Sequence, residues 1–439
     1  MLQSMTYFSN RDINRLALHS GVGTLAGAMS FAFSAVFLLH AGLAPAQIFL
    51  SFAAILALRF VMRPVVLYTA PAIGLRRTFI LGAIFGALSC PALALVDGIG
   101  FGLFTFIVLS SLGQVFYYTC YHVFFTALSD SGRRGIQVGA FQALGTVAAV
   151  VGPAAGGVLL ATRGPWVTFG LAFLIALAAI LPLLHIAEPP IVRERPRDAY
   201  AAAKRGVQLY FADGWIQVSL TSAWSIVLFQ ALHDRYDSFG GTLSLATLAG
   251  ALGGIVFGRL IDKGHTHSAV WINAGILALV VVLRALTFGN AAAAVAIAIG
   301  TTMVGGFYLP SWMTAVYNEA KIAPCTFRFQ FAAEGGWDGG GALAGLIAAG
   351  FCAFGLPLEA AILLALPMVA VQARLLERSY ASRSLRSIAG AEVQLGDVSK
   401  EQAEAVGAAM VRAREADRVG DQSACEQALS DAERALSQR

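Results

Sequence analysis

The polar segment from Glu188 to Asp213 divides the chain into two long hydrophobic blocks. Each block contains six apolar runs of about the 20 residues that a helix needs to cross a bilayer. The segment itself carries five basic residues, Arg193, Arg195, Arg197, Lys204 and Arg205. Two sets of six spans joined by a basic linker predict an all-α membrane protein with twelve transmembrane helices in two halves. Apolar runs this long and continuous do not alternate as the strands of a membrane barrel would.

The predicted spans define four parts of the chain. Those of the first half are residues 16–40, 45–69, 78–96, 99–127, 137–161 and 165–186, and those of the second are 214–233, 239–260, 268–288, 291–318, 328–353 and 355–376. The parts are an N-terminal six-helix bundle (1–187), a cytoplasmic linker (188–213), a C-terminal bundle (214–376) and a soluble tail (377–439). The tail is rich in Ala, Glu, Arg, Gln and Ser at helical spacing, which predicts a short helical appendage. Docking of a cytoplasmic partner is the alternative role for it.

Composition and charge agree with a membrane location. Of the 439 residues, 57% are hydrophobic and 13% are charged, whereas soluble domains carry about 25% charged residues. The net charge of +5 arises from basic residues in short loops, which indicates membrane orientation and argues against nucleic-acid binding. With the N-terminus inside, the outer loops hold little beyond Arg163 and Arg235. We therefore expect a multi-pass protein of the bacterial inner (plasma) membrane with both termini in the cytoplasm.

Patterns typical of enzymes and metal sites do not occur in the sequence. There is no GxxxxGK(S/T), HExxH or GxSxG motif, and the five cysteines have no metal-ligand spacing. We predict no enzymatic activity, no cofactor and no metal site, with an ion gradient as the energy source in place of ATP.

A small-residue motif lies in the fifth predicted span. Gly145, Ala149, Gly152 and Gly156 share one helical face and predict a smooth groove for close helix approach. Pro153 removes a backbone hydrogen bond and favours a kink there.

The string GPAAGG, which contains Gly152, Pro153, Gly156 and Gly157, resembles the fifth-helix motif of the major facilitator superfamily of secondary transporters. That motif is best known in proton-coupled exporters. A second match follows the eighth span, where Gly258, Asp262 and Lys263 stand in a GxxxD(R/K)xG-like loop. The resemblance implies two six-helix halves that alternate in their access to a central cavity.

Two parts of the sequence depart from the family pattern. The first-half loop keeps Arg76 and Arg77, but Pro71 stands roughly where the acidic residue belongs. The fourth span carries Gln114, Tyr117 and Tyr118 and lacks the arginine of many proton-coupled exporters.

Four charged residues inside predicted spans form the sharpest candidate site. Glu334 and Asp338 lie four residues apart in EGGWDGGG of the eleventh span, and Arg59 and Arg63 lie four apart in the second. Ionisable groups at this depth are costly and normally face a partner or a water-filled cavity. Depth matches Arg63 with Glu334 and Arg59 with Asp338, and in the resembled fold these two helices meet between the halves. We interpret the set as a gate with one carboxylate as a proton carrier, or as a structural ion-pair cluster.

Aromatic residues and a few side chains with hydroxyl or amide groups are the candidates for the substrate cavity. They comprise Gln114, Tyr117, Tyr118, Tyr121 and His122 on the fourth span, Gln217, Thr221 and Trp224 on the seventh, and Tyr308 and Trp312 on the tenth. An aromatic belt at the membrane interface would explain Trp312 equally well, and His122 would also serve as a hydrogen-bonding packing residue.

The residues and the resemblance together predict a secondary active transporter of a small organic solute. We expect proton coupling and favour export over uptake. The alternative is a non-transporting scaffold or sensor of the same fold that signals through its tail.

Overall fold

The computed structural model describes residues 11–128, 134–189, 199–261, 266–287, 289–305 and 308–394, and individual residues between 405 and 434. Regular secondary structure in these residues is helical, and it forms twelve long segments, called spans 1 to 12 below. The predicted all-α class is confirmed. Six of the described helical stretches, in spans 1–4, in spans 5 and 6 together and in span 12, are long and apolar enough to cross a membrane.

The first half contains spans 1 to 6. Span 1 is Arg11–Met29 and Ser34–His40, span 2 is Pro45–Met62 and Pro64–Ile73, span 3 is Leu75–Ala94, and span 4 is Phe101–Leu128. Spans 5 and 6 lie in one stretch, Arg134–Ala178, that breaks at Gly164. The φ of 79° at Gly164 belongs to the left-handed region that glycine tolerates, and Pro165 then starts span 6.

The second half contains spans 7 to 12. Span 7 is Lys204–Gln217, Val218–Ser222 and Ala223–Ala231, span 8 is Tyr236–Ile261, and span 9 is Thr266–Ala285. Span 10 is Ala291–Gly305 and Tyr308–Ile322, span 11 is Thr326–Ala353, and span 12 is Leu358–Leu363 and Ala365–Gln394. Span 7 thus begins inside the range assigned to the linker, and the last helix continues past residue 376. Buried Tyr210 and Asp213 explain the early start, because they face protein and not a solvated linker.

The tail shows helical residues from 405 to 416 and from 423 to 434 among those described. Arg412 lies 3.5 Å from Asp431, so the two pieces contact each other. Asp421 accepts hydrogen bonds from the Ala424 amide and the Ser423 hydroxyl, which lower the pKa of its carboxyl group. It therefore caps the start of the second piece.

The end of the molecule where span 6 leads into the linker is called the linker end, and the other is the far end. At the linker end, the Phe125 ring of span 4 packs 4.9 Å from Tyr317 of span 10. At the far end, Phe33 of span 1 packs 5.6 Å from Phe239 of span 8. The halves therefore touch at both ends.

The small residues of span 5 contact two different helices. A Cβ at Gly152 would lie 2.5 Å from the Ala28 side chain, and one at Gly156 would lie 3.0 Å from Met29, so these glycines pack on span 1 of the same half. Gly157 and the Pro153 carbonyl instead face Gly240 on span 8, across the interface between the halves. A Cβ added at Gly145 would meet no atom of the described residues within 4 Å. The predicted groove therefore serves packing inside the first half, and its neighbouring face serves the interface.

The start of span 3 is capped by a residue distant in sequence. Gly74 has a φ of 96°, and the next two amides, of Leu75 and Arg76, donate to the carboxylate of Glu188. Glu188 follows span 6, so it supplies a carboxylate near the loop in which Pro71 replaces the family's acid.

We expect Glu188→Ala to lower the stability of the protein by about 1 kcal/mol, because two amides at a helix start lose their acceptor. Thermal unfolding in detergent measures this change. Glu188→Gln keeps an acceptor oxygen and should lose less. Equal stability of Glu188→Ala and the unmodified protein would show that water replaces the cap without cost.

Candidate functional site

Arg59, Arg63, Glu334 and Asp338, called the charge cluster below, meet where span 2 packs against span 11. Their exposed fractions are 2%, 3%, 3% and 0%. The cluster joins the two halves, because span 2 belongs to the first and span 11 to the second. Two positive and two negative charges balance within it.

Local sequence explains how these side chains reach one another. A spacing of four residues places each pair on one helical face. Pro64 ends the helix directly after Arg63, since proline has no amide hydrogen to donate.

Glycines let span 11 approach its neighbours. Gly336 and Gly340 face the backbone carbonyl oxygens of Val207 and Phe211 on span 7. Gly345 faces Ala53 on span 2, at 3.2 Å for an added Cβ. Gly336 and Gly340 thus hold span 11 close to span 7, and Gly345 holds it close to span 2, which carries the arginines.

The observed pairing differs in detail from the depth-matched one. Arg59 Nη2 lies 2.5 Å from Glu334 Oε2, and its Nε lies 2.6 Å from Asp338 Oδ1. Arg63 donates from Nε, at 2.9 Å, and from Nη2 to Asp338 Oδ2. Its Nη2 is 3.9 Å from Glu334. Asp338 therefore holds both arginines, whereas Glu334 chiefly holds Arg59.

Polar and aromatic side chains complete the surroundings of the two arginines. Arg59 donates to Gln114 Oε1 at 2.9 Å, and Arg63 donates to Thr119 Oγ1 at 3.1 Å. The Arg59 guanidinium lies 5.3 Å from the Tyr118 ring centre and 5.2 Å from that of Trp337, both within cation–π range. Span 4 thereby contributes directly to the cluster.

His122 connects the cluster to span 10. Its Nε2 lies 3.0 Å from Glu334 Oε1, and its Nδ1 lies 2.8 Å from the Tyr317 hydroxyl oxygen. A chain of contacts therefore runs from Tyr317 through His122 and Glu334 to Arg59.

Two other tyrosines proposed for the cavity point elsewhere. The Tyr117 ring packs 4.9 Å from Phe79, and its hydroxyl lies 3.0 Å from His19 Nε2, so it contacts spans 3 and 1 inside the first half. The Tyr121 ring stacks on that of Tyr117 at 5.9 Å. Successive residues of a helix point about 100° apart, so Tyr117 and Tyr118 do not line one cavity together.

The residues of the second half that were proposed to line the cavity also differ in their surroundings, because some are buried and one is exposed. Trp224 is buried, and the Arg284 guanidinium of span 9 lies 5.1 Å from the centre of its indole ring. Thr221 is exposed, and its hydroxyl donates to Gln217 Oε1 at 3.3 Å. Trp312 is buried 5.1 Å from the Tyr210 ring. The side chain of Tyr308 and the surroundings of Gly258, Asp262 and Lys263 lie outside the described residues.

The sequence analysis missed several neighbours of the cluster. Tyr210 and Asp213 lay in the range assigned to the linker, and Trp337 and Thr119 stood between the residues singled out. The Trp337 indole donates to Asp213 Oδ2 at 2.8 Å, which ties span 11 to span 7. Apolar residues at helical spacing around Tyr210 would have indicated the longer helix. Among the described residues, no group of three His, Cys, Asp or Glu side chains is placed to hold a metal ion.

Twelve helical spans in two halves, joined by buried ion pairs, define a multi-pass membrane protein. The transporter FucP in its outward conformation has a similar fold, with 14% identity, a TM-score of 0.58 and coverage of 84% of this chain and 98% of FucP. The nucleoside transporter NupG has 13% identity, a TM-score of 0.59 and the same coverages. A family model described as Major Facilitator Superfamily matches residues 17–324, and the chain belongs to this family. No curated protein matches the chain.

Proposed function

We propose that the chain moves a small organic solute by alternating access, coupled to protons, and that the charge cluster holds the linker end closed. The observation that carries this proposal is the set of ion pairs between span 2 and span 11. Separating a buried ion pair is strongly unfavourable unless new interactions replace it. The cluster therefore favours one conformation of the two halves and must break in the other.

Proton coupling rests on the titratable groups within this contact. Each carboxylate is held by an arginine, so Glu334 or Asp338 must leave its arginine before it takes a proton. This requirement links protonation to the separation of the halves. FucP is an E. coli fucose:proton symporter and NupG is a nucleoside transporter, and we extend proton coupling and a polar organic solute from them to this chain.

The solute is proposed to bind between the halves, next to the cluster. Gln114, Tyr118 and His122 would contact it from span 4, and Gln217 and Thr221 from span 7. Tyr118 and Thr221 are exposed, so both are accessible to a bound molecule. The GPAAGG motif favours export, because its resemblance is to exporters.

We place the linker end, and with it both termini, on the cytoplasmic side of a bacterial inner membrane. Arg15, Arg76 and the basic linker lie at this end, as the positive-inside rule requires. The linker and the tail then form the soluble cytoplasmic parts.

Transport by reconstituted protein tests this function against the scaffold alternative. Solutes that raise the melting temperature of the purified protein are offered to proteoliposomes with an imposed pH gradient. We expect uphill movement that collapses when the gradient is removed. A variant without residues 395–439 should keep this flux, because span 12 ends at Gln394 and the charge cluster lies in spans 2 and 11.

Two outcomes would contradict the proposal. The first is that no solute moves in either protein. The second is that the shortened chain folds with an unchanged melting temperature yet loses its activity, which would favour a scaffold or sensor that acts through the tail.

A further inference from the structure

Among the described residues around the charge cluster, His122 has contacts that let it take a proton without displacing an arginine from a carboxylate. It is buried, with 7% exposed, and lies between the two halves. Its two ring nitrogens contact different partners, Glu334 on span 11 and Tyr317 on span 10. These contacts fix the hydrogen positions of the ring.

The carboxylate decides which nitrogen carries the hydrogen. A carboxylate oxygen only accepts, so the Nε2 facing Glu334 Oε1 must donate. In a neutral ring Nδ1 then has a lone pair and accepts from the Tyr317 hydroxyl. Protonation at Nδ1 turns this nitrogen into a donor. The Tyr317 hydroxyl can rotate and accept, so the contact survives with its direction reversed.

The carboxylates offer no comparable position. A proton on Glu334 Oε2 or on Asp338 Oδ1 displaces Arg59, and a proton on Asp338 Oδ2 displaces Arg63. A proton on Glu334 Oε1 opposes the hydrogen already donated by His122. We propose that His122 Nδ1 binds the coupling proton while the linker end is closed, whereas a carboxylate can bind it only after leaving its arginine; this inference rests on the proposed function.

The charged and titratable groups around His122 come from each helix packed against it. They are Arg59 and Arg63 on span 2, Tyr118 and Tyr121 on span 4, Tyr210 on span 7, Tyr317 on span 10, and Glu334 and Asp338 on span 11. The charges in this set balance while His122 is neutral. A proton taken from water adds a third positive charge, next to Glu334. Because His122 belongs to the first half and Glu334 to the second, the added charge strengthens the attraction between the halves, and proton binding favours closure of the linker end over its opening.

Cys325 is a native reporter of that opening. It is 2% exposed, immediately before span 11, in an apolar cluster that contains residues of both halves. The test uses the full chain in liposomes with the other four cysteines replaced by Ala. The rate at which a maleimide labels Cys325 is measured between about pH 5.5 and 8, the range in which histidine side chains change charge. Division by the rate for denatured protein at the same pH removes the reagent's own pH dependence.

We expect labelling to fall as the pH falls, because a proton on His122 strengthens the closed state, and we expect His122→Gln to lose this dependence, since Gln keeps a donor toward Glu334 but carries no proton-dependent charge. Tyr317→Phe should keep the dependence with a shifted midpoint. His19→Gln is the matched control, because His19 is also buried but its ring nitrogens contact the Ala179 carbonyl and the Tyr117 hydroxyl in place of a carboxylate.

Two results of the labelling experiment would overturn the inference. One is an unchanged pH dependence in His122→Gln. The other is a dependence that disappears in His19→Gln as well. The proposed function fails separately, through the absence of solute flux in any variant, and the labelling result stands in either case. If His122→Gln still moves solute uphill, transport is real and His122 is not its proton site.

Discussion

Replacing Asp338 by Asn is expected to abolish uphill transport and to destabilise the protein by about 3–5 kcal/mol. Asp338 is fully buried and holds both arginines, so its loss leaves two cations facing one carboxylate. An uncompensated buried charge is costly, and the closed linker end depends on this contact. Denaturant unfolding in detergent micelles and flux in proteoliposomes measure the two effects.

A double variant separates charge balance from a defect in packing. Arg63→Gln with Asp338→Asn keeps the pair of Arg59 and Glu334, and should recover stability that the single change loses. Asp237→Asn is the matched surface control, because Asp237 pairs with Arg235 in an exposed position. Its effect should stay below about 1 kcal/mol. A single Asp338→Asn variant as stable as the unmodified chain would refute the role of the ion pairs in closure.

Gly240→Ala is expected to impair transport by weakening the contact between spans 5 and 8. A Cβ at Gly240 would overlap the carbonyl oxygen of Pro153, and backbone atoms do not yield as a flexible side chain would. Overpacking of this kind costs about 1–3 kcal/mol. It destabilises only the conformation in which spans 5 and 8 are in contact at the far end. The population should therefore shift toward a state open at the far end. Spin labels on spans 5 and 8 would record a longer distance.

The neighbouring residue provides the control for that experiment. In the described part of the chain no atom lies within 4 Å of a Cβ added at Gly241, so Gly241→Ala should leave flux and distance unchanged. If both variants behave alike, helix propensity and not the contact between the halves explains the effect.

The sequence predicted the architecture because bilayer thickness and basic loops leave few alternatives. It also singled out Arg59, Arg63, Glu334 and Asp338, since four charges in apolar helices require an explanation. The sequence did not predict how each helix is rotated about its axis, and therefore which neighbour each side chain faces. Adjacent Tyr117 and Tyr118 share a residue type, yet one packs inside the first half and the other stacks on Arg59.

The start of span 7 shows a second limit of the sequence. Lys204 and Arg205 resemble a polar linker in composition, although the helix they open carries Tyr210 and Asp213 into the protein. At such a boundary one face of the helix carries polar side chains that contact solvent, and the other face carries side chains that are buried in the protein. Composition averages over both faces, so the sequence analysis started span 7 at residue 214, whereas the helix begins at Lys204.

The break at Gly164 gives the first half a mechanical property. Spans 5 and 6 share one stretch of backbone with a single-residue corner, so there is no slack loop to absorb a displacement. At the other end of span 6, the carbonyls of His185 and Ile186 accept from Arg15 and Arg76, and Glu188 holds the start of span 3. A tilt of span 5 at its contact with span 8 would therefore move span 6 through the corner at Gly164, and with it the first residues of the linker. We therefore expect the start of the linker to move when the contact between spans 5 and 8 changes.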